Sequence, residues 1–332
     1  MTTPSSLALR TPPSTPDISG ADWREEEFTV LNLRIALRTN EPGLADHLRS
    51  IFPGQEGVVA SVPPGRQDYV VSCVRNQAHG QTYQVISSGS VVLRTSDRDA
   101  LATYLERSIC NAITEHLGTR YVLLHAAALA NEGCGILFPG PSGAGKSLTA
   151  AALAANGFQC FSDEVAVVTD DGHLRPFPKV ISLKEDGWRR LAEAFPLIAP
   201  AGCWLPSSES GLYHLNPSHR LKSGGRWTGP PVRFIIVPSC RAGASTILEP
   251  LPKAAALTLL LEQSLNLRQL GSRAMGVLVR LVQESECFAL AAGSLREAGP
   301  LVARLTQLRG RPGLLQQFIS GKGWGDEGEG LR

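Results

Sequence analysis

The stretch LLHAAALANEGCGILFPGPSGAGKSLTAAALAANGFQCFSDEVAVV, Leu123–Val168, decides how this chain folds. Two apolar runs, YVLLHAAALA from Tyr121 and CGILFPG from Cys134, suit strands buried on both faces. A glycine-rich turn follows, then an Ala-rich helical stretch from Ser147 to Asn156, then a third apolar run, FQCFSDEVAVV from Phe158. Strand, glycine loop, helix, strand is the pattern of a parallel or mixed sheet covered by helices, so an α/β core is expected.

The turn itself, Gly140-Pro141-Ser142-Gly143-Ala144-Gly145-Lys146-Ser147, fits G-x-x-x-x-G-K-[ST] at every fixed position. A ring of backbone N–H donors suits phosphate oxygens, and glycines let the backbone curl round them without a Cβ in the way. Residues 140–147 and the following Leu148 are therefore expected to cradle the phosphates of a nucleotide. Lys146 would neutralise β- and γ-phosphate charge, and the Ser147 hydroxyl would ligate Mg²⁺. Sixteen residues after Ser147 come Asp163 and Glu164, flanked by apolar residues. Two adjacent carboxylates in such a run are costly unless they hold a metal or face solvent.

Outward from this core, 332 residues give room for about two domains at roughly 150 residues each. With 32 Lys+Arg against 30 Asp+Glu, the formal charge of +2 gives no global pull toward nucleic acid or an anionic membrane. No stretch of 18 apolar residues exists and the N-terminus lacks a signal-peptide pattern, so a cytoplasmic protein is expected. Seven scattered cysteines without a C-x-x-C pair indicate neither a disulfide framework nor a zinc site.

Four regions are expected: a disordered Ser/Thr/Pro leader over 1–24, an α+β module over 25–119, an α/β domain over 120–310 and a flexible tail over 311–332. In the first module Phe28–Leu37, Tyr69–Val74, Tyr83–Ile86 and Ser90–Leu93 read as strands, and Leu44–Ile51 as a short helix. A longer helix, about Asp97 to Leu117, gathers Leu101, Tyr104, Leu105, Ile109 and Ile113 on one face. Further on, Val232–Val237 and Ser245–Leu248 look like a hairpin, with helices at Lys253–Leu267, Gly271–Glu284 and Leu295–Gln307.

The quoted stretch resembles the catalytic core of the HPr serine kinase/phosphorylase family: a strand bearing His, a Walker A loop, a helix and an acidic pair. His125 matches the strand histidine, Lys146 and Ser147 the loop, and Asp163-Glu164 the acidic pair, with Glu164 standing where the family has a second Asp. Cys240-Arg241-Ala242-Gly243 resembles the family's Arg-Pro-Gly loop, and the stretch from Glu262 to Arg268 its Ala-Met-Asn-Phe-Arg helix. The Arg-Gly-rich signature of the phosphorylase reaction has no counterpart, since Phe177–Lys184 stands there, and the N-terminal module differs too. The chain is thus most similar to the divergent HPr-kinase-related branch, which includes kinases found with ribosomally made peptides such as lasso peptides. The resemblance covers about residues 120–300.

It implies a P-loop kinase core of the HPr kinase C-terminal-domain type, a mixed sheet with flanking helices, preceded by the smaller α+β domain. It also implies transfer of the γ-phosphoryl group of Mg·ATP to a Ser/Thr hydroxyl on a precursor peptide or small protein. In that chemistry Asp163 is expected to accept the hydroxyl proton, with His125 orienting it. Ser147 and Glu164 would hold Mg²⁺, and Arg241 would stabilise the transferred phosphoryl group. Neither nucleic acid nor membrane is an expected partner, and the ring assembly of HPr kinases is not carried over. A kinase of a free small-molecule hydroxyl and a non-catalytic nucleotide sensor are the alternatives. Lys184 reads as a second candidate cation or a solvated surface residue. The stretch between residues 203 and 231, with Trp204, Tyr213, His214, Asn216 and His219, reads as a substrate lid or an ordinary loop.

Overall fold

The computed structural model describes residues 23–53, 63–76, 80–196, 212–215, 229–240, 243, 245–311, 314–315 and 318. Most of the expected leader and tail, Arg241, and most of the 203–231 stretch, including Trp204, Asn216 and His219, lie outside them.

The N-terminal layer is a five-stranded sheet in the order β1 (Arg24–Val30), β2 (Leu33–Thr39), β3 (Gly65–Asn76), β4 (Gly80–Ser87) and β5 (Ser90–Thr95). The run expected as one strand over Phe28–Leu37 is instead a hairpin. Leu31 (φ 47°) and Asn32 (φ 68°) both adopt left-handed backbone, and two such residues in succession make the turn whose twist fits antiparallel strands. Helices α1 (Leu44–Ile51) and α2 (Arg98–Gly118) pack against this sheet. Helix α2 starts where Asp97 accepts a hydrogen bond from the Asp99 backbone N–H, and it buries Leu101, Leu105, Ile109, Ile113 and Leu117.

The chain then enters a mixed sheet of eight strands. These are β6 (Val122–Asn131), β7 (Cys134–Pro139), β8 (Gln159–Ser162), β9 (Val165–Val168) and β10 (Leu174–Arg175), joined later by β13 (Val232–Cys240), β14 (Ile247–Pro250) and β15 (Glu286–Ala292). Strands β11 (Ile181–Lys184) and β12 (Leu212–Leu215) form a separate antiparallel pair. One path runs β10-β9-β6-β7-β13-β15-β14, and β8 pairs with β6. One face is covered by α3 (Lys146–Ala155), α4 (Glu185–Ala194) and α8 (Leu295–Gln307), and the other by α5 (Lys253–Glu262) and α7 (Ser272–Glu284). Between α5 and α7 lies the single turn α6 (Leu267–Leu270). The protein is a mixed α/β structure with eight helices among the described residues, and none of these is long and apolar enough to cross a membrane.

Two expectations in this half are corrected. The stretches Val232–Val237 and Ser245–Leu248 do not pair with each other, because β15 lies between them, parallel to β13 and antiparallel to β14. The helix expected to run to Leu267 stops at Glu262, because the next residues pair with the start of β6: His125 N–H donates to the Gln263 carbonyl (2.8 Å) and Leu265 N–H to that of Leu123 (2.9 Å).

A single core links the N-terminal layer to the mixed sheet. Leu101 and Ile113 of α2, Val71 and Tyr83 of the small sheet, Val165 and Val167 of β9, and Phe177 and Val180 belong to one buried cluster. The Val180 N–H donates across the same boundary to the Ile51 carbonyl (2.9 Å). Apolar side chains therefore cross the expected division at residues 119–120.

Candidate active site

Strand β6 is the ruler that gathers the expected residues. On one side it pairs with β7, Ala126 opposite Pro139, so the glycine loop begins at the level of His125. On the other side β8 and β9 line up along it in turn, Ala128 opposite Ser162 and His125 opposite Val165. Asp163 and Glu164 occupy the gap between those two strands, where regular pairing is interrupted. Residues far apart in sequence thus meet at one level of the sheet. The Ser162 hydroxyl shapes the gap by accepting from the backbone N–H groups of Glu164 (3.1 Å) and Val165 (2.9 Å).

The loop from Gly140 closes on itself through an Ala144 N–H to Pro141 carbonyl bond (3.2 Å), and α3 begins at Lys146. Pro141, Ser142 and Gly143 are exposed, Gly140 is buried, and Ala144, Gly145 and Ser147 are half-buried, whereas the Leu148 side chain belongs to the core under α3. Gly145 has no substitute: its φ is +92°, and a Cβ there would lie 2.5 Å from the Cys240 sulfur.

Lys146 is buried and fully engaged. Its ammonium donates to the carbonyls of Gly140 (2.8 Å) and Pro141 (3.0 Å) and lies 3.0 Å from His125 Nε2. Burial lowers the Lys146 pKa. Burial, and then Lys146, also hold the His125 pKa below its ordinary value, so the neutral ring accepts from the ammonium. The Glu164 charge and its backbone carbonyl act the other way, to raise the His125 pKa.

The two carboxylates differ in surroundings. Asp163 is 3% exposed, accepts from the Ser182 backbone N–H (3.4 Å), and has the Ser147 hydroxyl near it. Burial pushes its pKa up, opposed by the Lys179 charge and the Ser147 hydroxyl. Glu164 has a side chain 45% exposed and is joined to Lys179 at 3.1 Å. Burial acts to raise its pKa, but Lys179, His125 and Lys146 together carry it below the usual range. The Ser147 hydroxyl thus acts on Asp163, whereas the expected roles set it beside Glu164.

The residues that sequence reasoning passed over form a polar cluster behind this pair. Lys179 reaches Glu106 on α2 (3.0 Å), Glu164 (3.1 Å) and the Ser182 hydroxyl (3.1 Å). Ser182 also contacts His214 Nδ1 (3.2 Å), and the His47 ring of α1 meets the His214 ring edge-on at 6.2 Å. A lone lysine in the otherwise apolar run from Phe177 to Leu183 was the available signal, since a buried ammonium needs a carboxylate. Lys184 is exposed at the start of α4 and takes no part. Of the 203–231 stretch, Tyr213 stacks on Trp188 with ring centroids 5.3 Å apart.

No family model matches the chain, and no curated protein matches it.

Proposed function

We propose that the protein is a Mg·ATP-dependent kinase of the HPr-kinase-like type, with a P-loop core, that phosphorylates a Ser or Thr hydroxyl on a peptide or small protein. The observation that carries this reading is the convergence of the Ser147 hydroxyl and Asp163 with Lys146, His125 and Glu164 at the same end of β6. A protein that only bound a nucleotide would need no second, half-exposed carboxylate at that place.

The geometry favours a reassignment within the pair. Ser147 and Asp163 are adjacent oxygen donors, the hard donor set that suits Mg²⁺. No group of three or more His, Cys, Asp or Glu among the described residues is placed to hold a metal alone, so the ion would arrive with the nucleotide's phosphates. When bound, Mg²⁺ neutralises charge on the β- and γ-phosphate oxygens. Lys146 would exchange the carbonyls of Gly140 and Pro141 for phosphate oxygens, and the loop N–H groups would orient the chain of phosphates.

Glu164, the more exposed carboxylate, is the better placed group to take the proton of the acceptor hydroxyl. As that oxygen bonds to the γ-phosphorus, the bond from the γ-phosphorus to the bridging oxygen breaks, the proton passes to Glu164 and ADP leaves. His125 lies beside the Glu164 backbone and helps to hold Lys146 at the mouth of the loop. The N-terminal sheet ends in β1 and β5, whose outer edges carry no partner strand among the described residues and could take an extended peptide by strand addition.

Mass spectrometry of Ser- and Thr-bearing peptides incubated with Mg·ATP tests the proposal. A gain of one phosphoryl group with the wild-type chain and none with Lys146→Ala is expected. Phosphorylation of a free amino acid or sugar with none of any peptide would replace the peptide acceptor, and no transfer to any hydroxyl would overturn the kinase reading.

A further inference from the structure

We propose that Glu106, on α2 of the N-terminal layer, is a positioning residue for the acidic pair, acting through Lys179. The proposal rests on the kinase reading for its effect on turnover, and on geometry for its existence. Lys179 has a side chain only 6% exposed and lies between two carboxylates from different layers, Glu106 Oε1 at 3.0 Å and Glu164 Oε2 at 3.1 Å. Glu106 in turn is 11% exposed in its side chain and also accepts from the Ser182 hydroxyl at 3.5 Å. Ser182 completes the ring, because its backbone N–H donates to Asp163 at 3.4 Å. Glu106, Lys179 and Ser182 therefore each lead to Asp163 or Glu164 within two contacts.

Stability does not account for the arrangement. Removing the Lys179 and Glu106 charges from water is costly, and apolar side chains of similar volume would fill the space at no such cost. The neighbours of Glu106 on the buried side of α2 are Ala102, Leu105, Ile109 and Cys110, so an apolar residue at 106 would simply extend the core. What the carboxylate adds is a fixed anchor for the Lys179 ammonium. With Glu106 on its far side, Lys179 holds Glu164 by one oxygen, Oε2, at the edge of the site. Without that anchor the ammonium would be drawn onto Asp163 and Glu164 alone, would tie up the carboxylate meant for the acceptor proton, and would compete with the cation held by Asp163 and Ser147. The N-terminal layer is then part of the site, and its docking sets where the acidic pair points.

The test compares the wild-type chain with Glu106→Gln, Glu106→Asp, Lys179→Met and the Glu106→Gln/Lys179→Met double variant. Four quantities are read: Mg·ADP affinity by calorimetry, turnover on a peptide acceptor, the thermal midpoint, and the rate at which acetic anhydride labels Lys179 in the native protein. Glu106→Gln should label Lys179 roughly tenfold faster than wild type and lower kcat about tenfold, with Mg·ADP affinity within about twofold. Glu106→Asp, which keeps the charge but withdraws it by one methylene, should fall between, and it carries the same labelling readout should Glu106→Gln fail to fold. The double variant should be no slower than Lys179→Met, because Glu106 acts only through the lysine. Unchanged labelling of Lys179 in both Glu106 variants overturns the proposal, as does a fall in turnover that merely parallels lost nucleotide affinity and lost thermal stability. A wild-type protein that transfers no phosphoryl group would instead refute the kinase reading, and the labelling rates would still decide whether Glu106 holds Lys179.

Discussion

Lys146 Nζ lies 3.0 Å from His125 Nε2, an ammonium against an imidazole that must be neutral to accept from it. The pair joins two parts of the proposed site, the glycine loop and the strand histidine. It also gives His125 a role other than that of a base. With Nε2 committed to Lys146 and the ring beside the Glu164 backbone, the imidazole stands between both sides of the site.

Lys146→Ala should therefore abolish phosphoryl transfer and lower Mg·ADP affinity at least tenfold, since the loop loses its full positive charge in a partly desolvated place. His125→Ala should weaken both properties less, because only the contact to Lys146 is lost. Calorimetry and a peptide phosphorylation assay check the order; equal losses would give His125 a more direct part in the chemistry.

The acidic pair should divide by function. Asp163→Asn removes the charge beside Ser147, so Mg²⁺-dependent nucleotide affinity should fall about tenfold or more. Glu164→Gln should leave that affinity within about threefold and lower turnover by ~10² or more. The reverse pattern would restore the roles expected from sequence, with Asp163 as the base and Glu164 on the metal.

How far the sequence could be read follows from which interactions are local. The glycine loop, α3 and the apolar runs of β6 and β7 were legible because each depends on residues close in the chain. The pairing of Ser147 with Asp163 was not, because two strands that both line up on β6 decide which carboxylate turns toward the loop. Strand β15 was missed for a similar reason: ECFALAA is a short apolar run between helices with no alternation, and only its neighbours β13 and β14 make it a strand. Glu106 did leave a trace. It lies in the spacing 102, 106, 109, 113 on the buried face of α2, where a carboxylate calls for a partner.

Gly145→Ala should disable the loop even though alanine is the smallest possible addition. Left-handed backbone at φ +92° costs about 1 kcal/mol for a non-glycine residue, and the new methyl would meet the Cys240 sulfur at 2.5 Å. Gly143→Ala has the same backbone penalty at φ +85° with open space around it, so it should cost only the strain. Thermal melts of the two variants, with Cys240→Ala added to Gly145→Ala, separate the terms. Recovery of part of the loss by the Cys240 change is expected, and no recovery would mean that the sulfur yields without cost.

Acid should destabilise the protein through His47. Burial, then the nearby His214, lowers its pKa from 6.5 to about 4, so between those values the unfolded chain binds a proton that the folded one refuses. Stability due to this group is present above pH 6.5 and falls as pH drops toward 4, by on the order of 3 kcal/mol. His214, His125 and His116, also depressed, act in the same direction. A polar but non-titrating His47→Gln should flatten the dependence of Tm on pH over that range; an unchanged slope would assign the acid sensitivity to the other three.

Asn266 should prove structural, although it falls in the stretch that resembles a family helix. Its side chain, 7% exposed, accepts from the Leu123 N–H (3.0 Å) and donates to the carbonyls of Gly118 (2.9 Å) and Tyr121 (2.8 Å). One amide thereby ties the end of α2, the entry to β6 and the segment after α5 into one corner. Truncation leaves three buried backbone groups without those partners, and the penalty for stranding such groups is about 1–3 kcal/mol each before relaxation or water entry. Asn266→Ala should therefore lower stability by roughly 2–4 kcal/mol. Because His125 is the fourth residue of β6, the damage should reach the site as lost folded protein rather than as altered chemistry. Denaturant melts and kcat per folded molecule distinguish the two: a large fall in midpoint with kcat retained is expected, and an unchanged midpoint with lost turnover would place Asn266 in the chemistry instead.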